Sequence, residues 1–405
     1  MNFEILLLDF FNTLGLPTST TVSIVFELLG ASVSIALIKI YSSDQQTLDN
    51  LSQYINNEKA IQIILGILLS VVVAFTIGAI IQYISRLILS FNFDKKPQWM
   101  SAVFSGIAIT AISYFIIFKG LKGSTIINSD IKTYINANTF KLILANFAFW
   151  SLVSLFIISF LKSNIYKLII IVGTFALALA FAGNDLVNFI GVPMAAYNAF
   201  QDWSISGISP DAYSMESLAQ KVETQPLLLL ISGLIMVGTL WFSSKAKAVV
   251  KTSVDLSRQD EGEERFKPNF LSRSIVRSTV NASYFISRLI PENIQNKIEK
   301  QYTAKTLPKY IKAEDIPAFD MVRASVNLMV ASVLISIATS MKLPLSTTYV
   351  TFMVAMGTSL ADRAWGTESA VYRVAGVLNV IGGWFFTAII AFIASGVIAF
   401  LINIH

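Results

Sequence analysis

Two distant segments of the chain, residues 16–21 and 343–348, share the pattern Leu-Pro-x-Ser-Thr-Thr. A proline presets φ for the first turn of a helix, and the Ser and Thr hydroxyls that follow it satisfy or extend the free amide donors there. Inside a membrane, such a helix start turns N–H groups and a partial positive charge towards its neighbour, which is the chemistry of an anion site. The alternative is that each cluster only caps a buried helix. The candidate oxyanion donors are Ser19, Thr20, Thr21, Ser346, Thr347 and Thr348.

Residues 183–188 read Gly-Asn-Asp-Leu-Val-Asn in the middle of a long apolar stretch. An ionisable residue in hydrocarbon is costly and indicates function. Asp185 could hold a coupling cation, Na⁺ in the metal-bound case, or a proton, with Asn184 and Asn188 as neutral oxygen ligands. The glycine would let the helix unwind there, and the alternative is an ion pair between Asp185 and a basic residue on another span. Glu27 is either a second coupling carboxylate or a residue near the membrane interface.

Composition excludes several kinds of chemistry. The chain has no cysteine, which excludes disulfides, thiolate nucleophiles and Cys-ligated metals. Its single histidine is the last residue, His405, so a Ser–His–Asp triad or a His-ligated metal or haem has no support. No cofactor is predicted other than a coupling ion.

The hydrophobic content predicts an all-α polytopic membrane protein. Hydrophobic residues make up 54% of the 405 residues and charged residues only 14%, against about 25% charged in soluble domains. About 20 apolar residues are needed to cross a bilayer. Two further apolar regions, 3–41 and 318–361, are interrupted by the Ser-Thr-Thr clusters. The uninterrupted spans are predicted at 60–85, 99–118, 141–161, 168–200, 226–243 and 371–402.

The charged residues predict the orientation. Residues 244–317 hold 14 basic and 9 acidic residues, which accounts for the whole net charge of +5. With basic loops cytoplasmic, this amphipathic segment lies inside and the acidic loops 42–59 and 201–225 lie outside. Arg86 is expected to anchor a span end at the interface, and Trp384 to serve packing or an interfacial belt. The predicted location is the plasma membrane, with lipids as neighbours and no nucleic-acid partner.

The repeated motif predicts two inverted halves. A glycine follows nine residues after the last Thr of each copy, at Gly30 and Gly357. The loop after the first copy is predicted outside and the loop after the second inside. Inverted repeats with broken helices and re-entrant hairpins are the architecture of many secondary transporters. The predicted division is a first half-repeat at 1–98, connecting spans at 99–161, a broken helix with the Asn-Asp motif within 162–243, the cytoplasmic segment 244–317, and the second hairpin with a closing helix at 318–405.

With these motifs, the chain resembles the inorganic phosphate transporter (PiT) family. The resemblance rests on both Leu-Pro-x-Ser-Thr-Thr segments, on residues 183–188, and on a closing helix like residues 372–387. It departs from the family where a histidine should follow Ser-Thr-Thr, because Val22 and Tyr349 stand there. The Asn-Asp motif of the first half is also missing upstream of Pro17, which predicts an N-terminally incomplete first repeat.

The resemblance implies a cation-coupled symporter of inorganic phosphate, driven by Na⁺ or H⁺, and leaves room for a homodimer. Phosphate would lie between the two motifs, and a cation or shared proton at Asp185 would remove the repulsion between that carboxylate and the anion. Three alternatives stay open: transport of another tetrahedral oxyanion such as sulfate, a non-transporting membrane sensor, and an intramembrane enzyme acting on phosphate esters. The last lacks a conventional nucleophile and base, so no enzyme is predicted.

Overall fold

The computed structural model describes residues 2–43, 45–119, 129–209, 212–214, 225–259, 266–303, 317–341, 343, 345–366 and 369–404. These residues form helices and no strands. Pro344 of the second motif and parts of the 244–317 segment lie outside the described residues. The α-helices are α1 Asn2–Thr13, α2 Thr20–Tyr41, α3 Leu51–Tyr54, α4 Asn57–Leu89, α5 Gln98–Ser113, α6 Ser129–Ala137, α7 Thr139–Ser159, α8 Ile165–Ser206, α9 Pro226–Phe242, α10 Ser244–Ser257, α11 Phe270–Leu289, α12 Glu292–Gln301, α13 Met321–Ser340, α14 Thr347–Ala361 and α15 Ser369–Ile404.

Seven of the described helices are long and apolar enough to cross a bilayer, which confirms the predicted polytopic all-α class. An eighth crossing is formed if α9 and α10, bent by 68° at their junction, are counted as one span. The predicted spans and the observed helices coincide because each is a run of apolar residues that must satisfy its backbone internally. The seven are Thr20–Tyr41, Ala60–Leu89, Gln98–Ile116, Thr139–Ser159, Ile165–Ser206, Met321–Ser340 and Ser369–Asn403.

The two motif-bearing helices are exchanged between the halves of the molecule. Among the described helices, the most extensive pairings are α2 with α15 and α14 with α4. Gly30 on α2 lies directly against the Phe392 carbonyl of α15, and Gly357 on α14 lies against the Phe75 carbonyl of α4, with no room for a Cβ at either glycine. Small residues permit this close approach of helix backbones in membranes. The matching glycines predicted from the repeat therefore mark equivalent crossings.

Helix α8 differs from the expected broken helix. It is continuous over 42 residues, from its N-cap Asn164 to Gly207, which ends it in the left-handed conformation. Pro193 lies within this helix. A Cβ added at Gly183 would contact no atom within 4 Å. Residues 183–188 therefore lie within the helix, the form in which a backbone satisfies its polar groups internally in hydrocarbon. At about 1.5 Å per residue, the helix is longer than a bilayer core and extends beyond it.

Helix α10, the first part of the predicted amphipathic segment 244–317, packs against other helices. Thr252 is buried and donates a hydrogen bond to the Gly15 carbonyl at 2.7 Å, which fixes the turn between α1 and α2. Leu256 is buried against Gly376 of α15. In helices α11 and α12, by contrast, most of the described side chains are exposed.

A buried ion cluster holds the far end of α14. Arg86, expected at the interface, is completely buried and contacts Asp362 through Nε at 2.9 Å and Nη2 at 2.6 Å. Its Nη1 also donates to Asp320, the N-cap of α13, at 2.7 Å. Arg323 is equally buried, 3.7 Å from Asp362. Arg86 does lie in the last turn of α4, as expected of an end anchor, but it is buried against two carboxylates of the second half and does not extend outwards.

Candidate functional site

Each Leu-Pro-x-Ser-Thr-Thr segment ends in a helix N-terminus. The Ser19 hydroxyl caps α2 by accepting from the Val22 amide at 3.2 Å. The Ser346 hydroxyl caps α14 by accepting from the Tyr349 amide, also at 3.2 Å. Capping occupies an oxygen lone pair, so each hydroxyl proton can still be donated. We call residues 17–22 and 345–349 the two tips.

The polar residues of α8 contact both tips within one helical turn. Asn188 Nδ2 donates to the Thr21 hydroxyl of the first tip at 2.6 Å. Thr347 of the second tip donates to the Asp185 carboxylate, at 2.9 Å from Oδ1 and 2.8 Å from Oδ2. Asn184 Nδ2 donates to Asp185 Oδ1 at 3.1 Å. Five of the predicted side chains, those of Thr21, Thr347, Asn184, Asp185 and Asn188, are therefore joined by hydrogen bonds along one turn of α8.

The two tips use different threonines for these contacts. In the repeat, Thr20 corresponds to Thr347 and Thr21 to Thr348. The buried pair, Thr21 and Thr347, is the one that contacts α8, whereas Thr20 and Thr348 are only partly buried. Because both tips contact the single helix α8, each tip meets different α8 side chains, and the contacts of the two tips are not equivalent. One threonine per tip is positioned by α8, and the other is more accessible to a ligand.

Trp384 on α15 also contacts both tips, a pairing that could not be predicted from the sequence. Its indole Nε1 donates to the Pro17 carbonyl at 2.8 Å. Its ring also stacks on Tyr349, with centroids 3.7 Å apart and an interplanar angle of 16°. The sequence predicted packing or an interfacial belt for this tryptophan and could not name its partners, because nothing local shows which backbone carbonyl lies within its reach.

Glu27 does not join this contact network. It lies six residues beyond Thr21 on α2, about 9 Å along the helix axis. Its Oε1 is buried and has no hydrogen-bond partner among the residues that the structure describes. Its predicted coupling role therefore has no geometric support at the tips.

The arrangement combines donors for an anion with one acceptor for a cation or proton. Two helix N-termini contribute partial positive charge and backbone N–H groups, and the Ser and Thr hydroxyls add neutral donors. Asp185 is the one carboxylate among the described side chains that contact the tips. No group of three or more His, Cys, Asp or Glu side chains suitable for a metal occurs in the described part of the chain. A coupling ion here would rely on Asp185 with amide, hydroxyl and carbonyl oxygens.

One solved structure shares the fold across most of both chains. It is described as "The sodium-dependent phosphate transporter" and aligns with a TM-score of 0.53 at 15% sequence identity. The alignment covers 95% of this chain and 89% of that one. No curated protein sequence matches the chain.

A sequence model of the phosphate transporter family matches residues 2–253, more than half of the chain. The matched region contains the first tip and the Asn-Asp segment of α8. The chain therefore belongs to the phosphate transporter family, and it is a membrane transporter and not an enzyme, as the sequence predicted.

Proposed function

We propose that the protein carries inorganic phosphate across the membrane together with a cation. Phosphate is the substrate expected of this family. The observation that carries the proposal is the convergence of two capped helix N-termini on the Asn-Asp segment of α8. Phosphate would bind between the tips through Ser19, Thr20, Thr21, Ser346, Thr347 and Thr348.

The bond between Thr347 and Asp185 suggests how a cation and phosphate would be coupled. While Asp185 is ionised, it holds the Thr347 hydroxyl proton, and a carboxylate repels an approaching anion. A cation or proton on Asp185 would remove the repulsion and weaken its hold on Thr347. The hydroxyl could then turn towards phosphate. Binding of the cation would therefore increase the affinity for phosphate, and binding of phosphate would increase the affinity for the cation by the same factor.

Na⁺ is the coupling ion that we favour, with H⁺ as the alternative. The structural neighbour is described as sodium-dependent. Asn184, Asn188 and Asp185 offer side-chain oxygens as Na⁺ ligands. The unwound backbone carbonyls that coordinate Na⁺ in broken-helix transporters have no counterpart in the continuous α8.

Uptake of radiolabelled phosphate by proteoliposomes tests the proposal. The wild-type chain should accumulate phosphate under an inward Na⁺ gradient, and Asp185→Asn should reduce Na⁺-dependent uptake by about ten- to a hundredfold, since a hydrogen bond to a charged group contributes about 1.5–3 kcal/mol. Asp49→Asn, an exposed carboxylate in the 42–59 loop, is the matched control and should transport normally.

The other outcomes separate the alternatives. Uptake that follows a pH gradient and ignores Na⁺ would assign H⁺ as the coupling ion. Sulfate that competes equally with phosphate would indicate a general oxyanion transporter. Saturable phosphate binding without uptake under either gradient would favour the sensor, and neither binding nor uptake would overturn the proposal.

A further inference from the structure

An apolar cavity of about 260 Å³ lies between α2, α4 and α15, directly behind the tips. Its inner wall includes Val22, Tyr349 and Trp384. Val22 and Tyr349 are the first residues after each Ser-Thr-Thr cluster. The indole N–H of Trp384 is already bonded to Pro17, and the Tyr349 hydroxyl is buried with no partner among the described residues. The wall that a ligand would touch is therefore almost entirely apolar.

The cavity lies at the depth of the bilayer centre. Trp384 stands near the middle of the span Ser369–Asn403, and the lining residues Val71 and Val72 stand near the middle of the span Ala60–Leu89. With a hydrocarbon core about 30 Å thick, this places the cavity about 15 Å below either surface. Only the distal part of a lipid acyl chain reaches that depth.

The mouth of the cavity is continuous with the lipid-facing surface of the spans. Leu68 and Val72 on α4 and Phe385 on α15 line it, with 42%, 61% and 54% of their surface exposed. These apolar side chains lie on membrane-crossing helices, so hydrocarbon is their surrounding solvent. An apolar cavity of about 150 Å³ in a soluble protein already takes up benzene and stays dry, and this one is larger.

We propose that the distal part of one phospholipid acyl chain enters this cavity and packs against the residues that join the two tips. The occupant would rest on the Tyr349–Trp384 stack and beside Val22 on the first turn of α2. Movement of either tip would change the shape of this wall. Lipid occupancy would therefore influence transport, a consequence that rests on the proposed function, whereas the binding itself does not.

Depth-resolved photolabelling tests the binding. The purified full chain is reconstituted in phosphatidylcholine vesicles that contain a trace of phosphatidylcholine with a diazirine either at the chain end or next to the ester. After irradiation, adducts are mapped by mass spectrometry. The chain-end probe should label cavity residues such as Val71 and Ile67, and the ester-proximal probe should not. Equal labelling by both probes, or no enrichment over the exposed Leu152 on α7, would overturn the proposal.

A filled cavity provides the matched comparison. Ala388 lines the cavity and is buried, whereas Ala148 on α7 is exposed to lipid. Ala388→Phe should lower labelling of the cavity about tenfold, since losing the burial of two methylene groups changes occupancy by roughly that factor. Ala148→Phe should leave labelling unchanged. Unaltered labelling in Ala388→Phe would contradict the proposal, and the depth comparison on the wild-type chain decides it if that variant does not fold.

The consequence for transport has a separate readout. Ala388→Phe that lowers labelling and also changes the rate of phosphate uptake would support coupling between lipid and tips. Lowered labelling with unchanged uptake would overturn the coupling and leave the acyl-chain site in place. A failure of wild-type uptake would bear on the proposed function alone.

Discussion

Asp185 and Asn188 show how one helical turn can serve two structural repeats. They are three residues apart on α8, which places them on one face, and each bonds to a threonine of a different tip. Their shared face could be predicted from spacing. The threonine that each of them contacts could not be predicted, because this pairing depends on how α8 crosses two helices that are distant in the chain.

The Trp384 hydrogen bond to Pro17 leads to a prediction about the tips. Trp384→Phe keeps a ring for the Tyr349 stack and removes the indole N–H that donates to the Pro17 carbonyl. Losing the partner of a buried carbonyl should cost about 1–3 kcal/mol of stability and lower the turnover of phosphate uptake. Thermal unfolding in detergent and uptake kinetics measure the two effects. Trp241→Phe, at an exposed tryptophan, should change neither, and equal effects of the two substitutions would show that the bond has no special role.

At the scale of helices, the close crossings at Gly30 and Gly357 position α2 against α15 and α14 against α4, and so position the tips at the starts of α2 and α14. Gly357→Ala places a methyl group against the Phe75 carbonyl and the Ala79 amide of α4. Because these backbone atoms cannot move aside as the end of a flexible side chain can, we expect α14 to shift. The free energy of unfolding should fall by about 1–3 kcal/mol. Gly233→Ala on α9, where a Cβ meets nothing within 4 Å, should be neutral or slightly stabilising. A neutral Gly357→Ala would show that α4 and α14 are not this close in the membrane.

The ion cluster at the end of α14 leads to a second prediction at this scale. Asp362→Asn leaves Arg86 and Arg323 buried with one fewer carboxylate, and breaking a buried ion pair costs about 3–5 kcal/mol. The melting temperature in detergent should fall sharply. Glu299→Gln removes an ion pair to Arg363 whose side chains are 62% and 50% exposed, and it should have little effect. Similar melting temperatures for the two variants would mean that Arg86 finds another acceptor.

Across the whole molecule, the exchanged pairing of α2 with α15 and of α14 with α4 links the two halves. Each tip is thus attached to a long helix of the other half, and each also contacts α8. We infer that a tip cannot move without moving a helix of the opposite repeat. This interlocking suits alternating access by relative movement of two inverted repeats.

The predicted orientation can be measured directly because the chain has no cysteine. With residues 244–317 in the cytoplasm, Ser278→Cys on α11 should be protected from a membrane-impermeant maleimide in intact cells and react after permeabilisation. Ser52→Cys, in the acidic 42–59 loop, should react in both conditions. Both serines are exposed, so burial does not confound the result. The reverse pattern would invert the topology and place the ion cluster of Arg86 on the outer side.

The sequence by itself determined the class of protein, the apolar spans and the residue types of the site. These follow from local properties: hydrocarbon demands runs of apolar residues, and a helix start with Ser and Thr supplies donors wherever it lies. Only the tertiary structure decided that α8 stays continuous, that Arg86 is buried between two aspartates, that Trp384 joins the tips, and which threonine of each tip contacts α8. The last three depend on contacts between residues far apart in the chain, and their geometry exists only once the two halves have packed together.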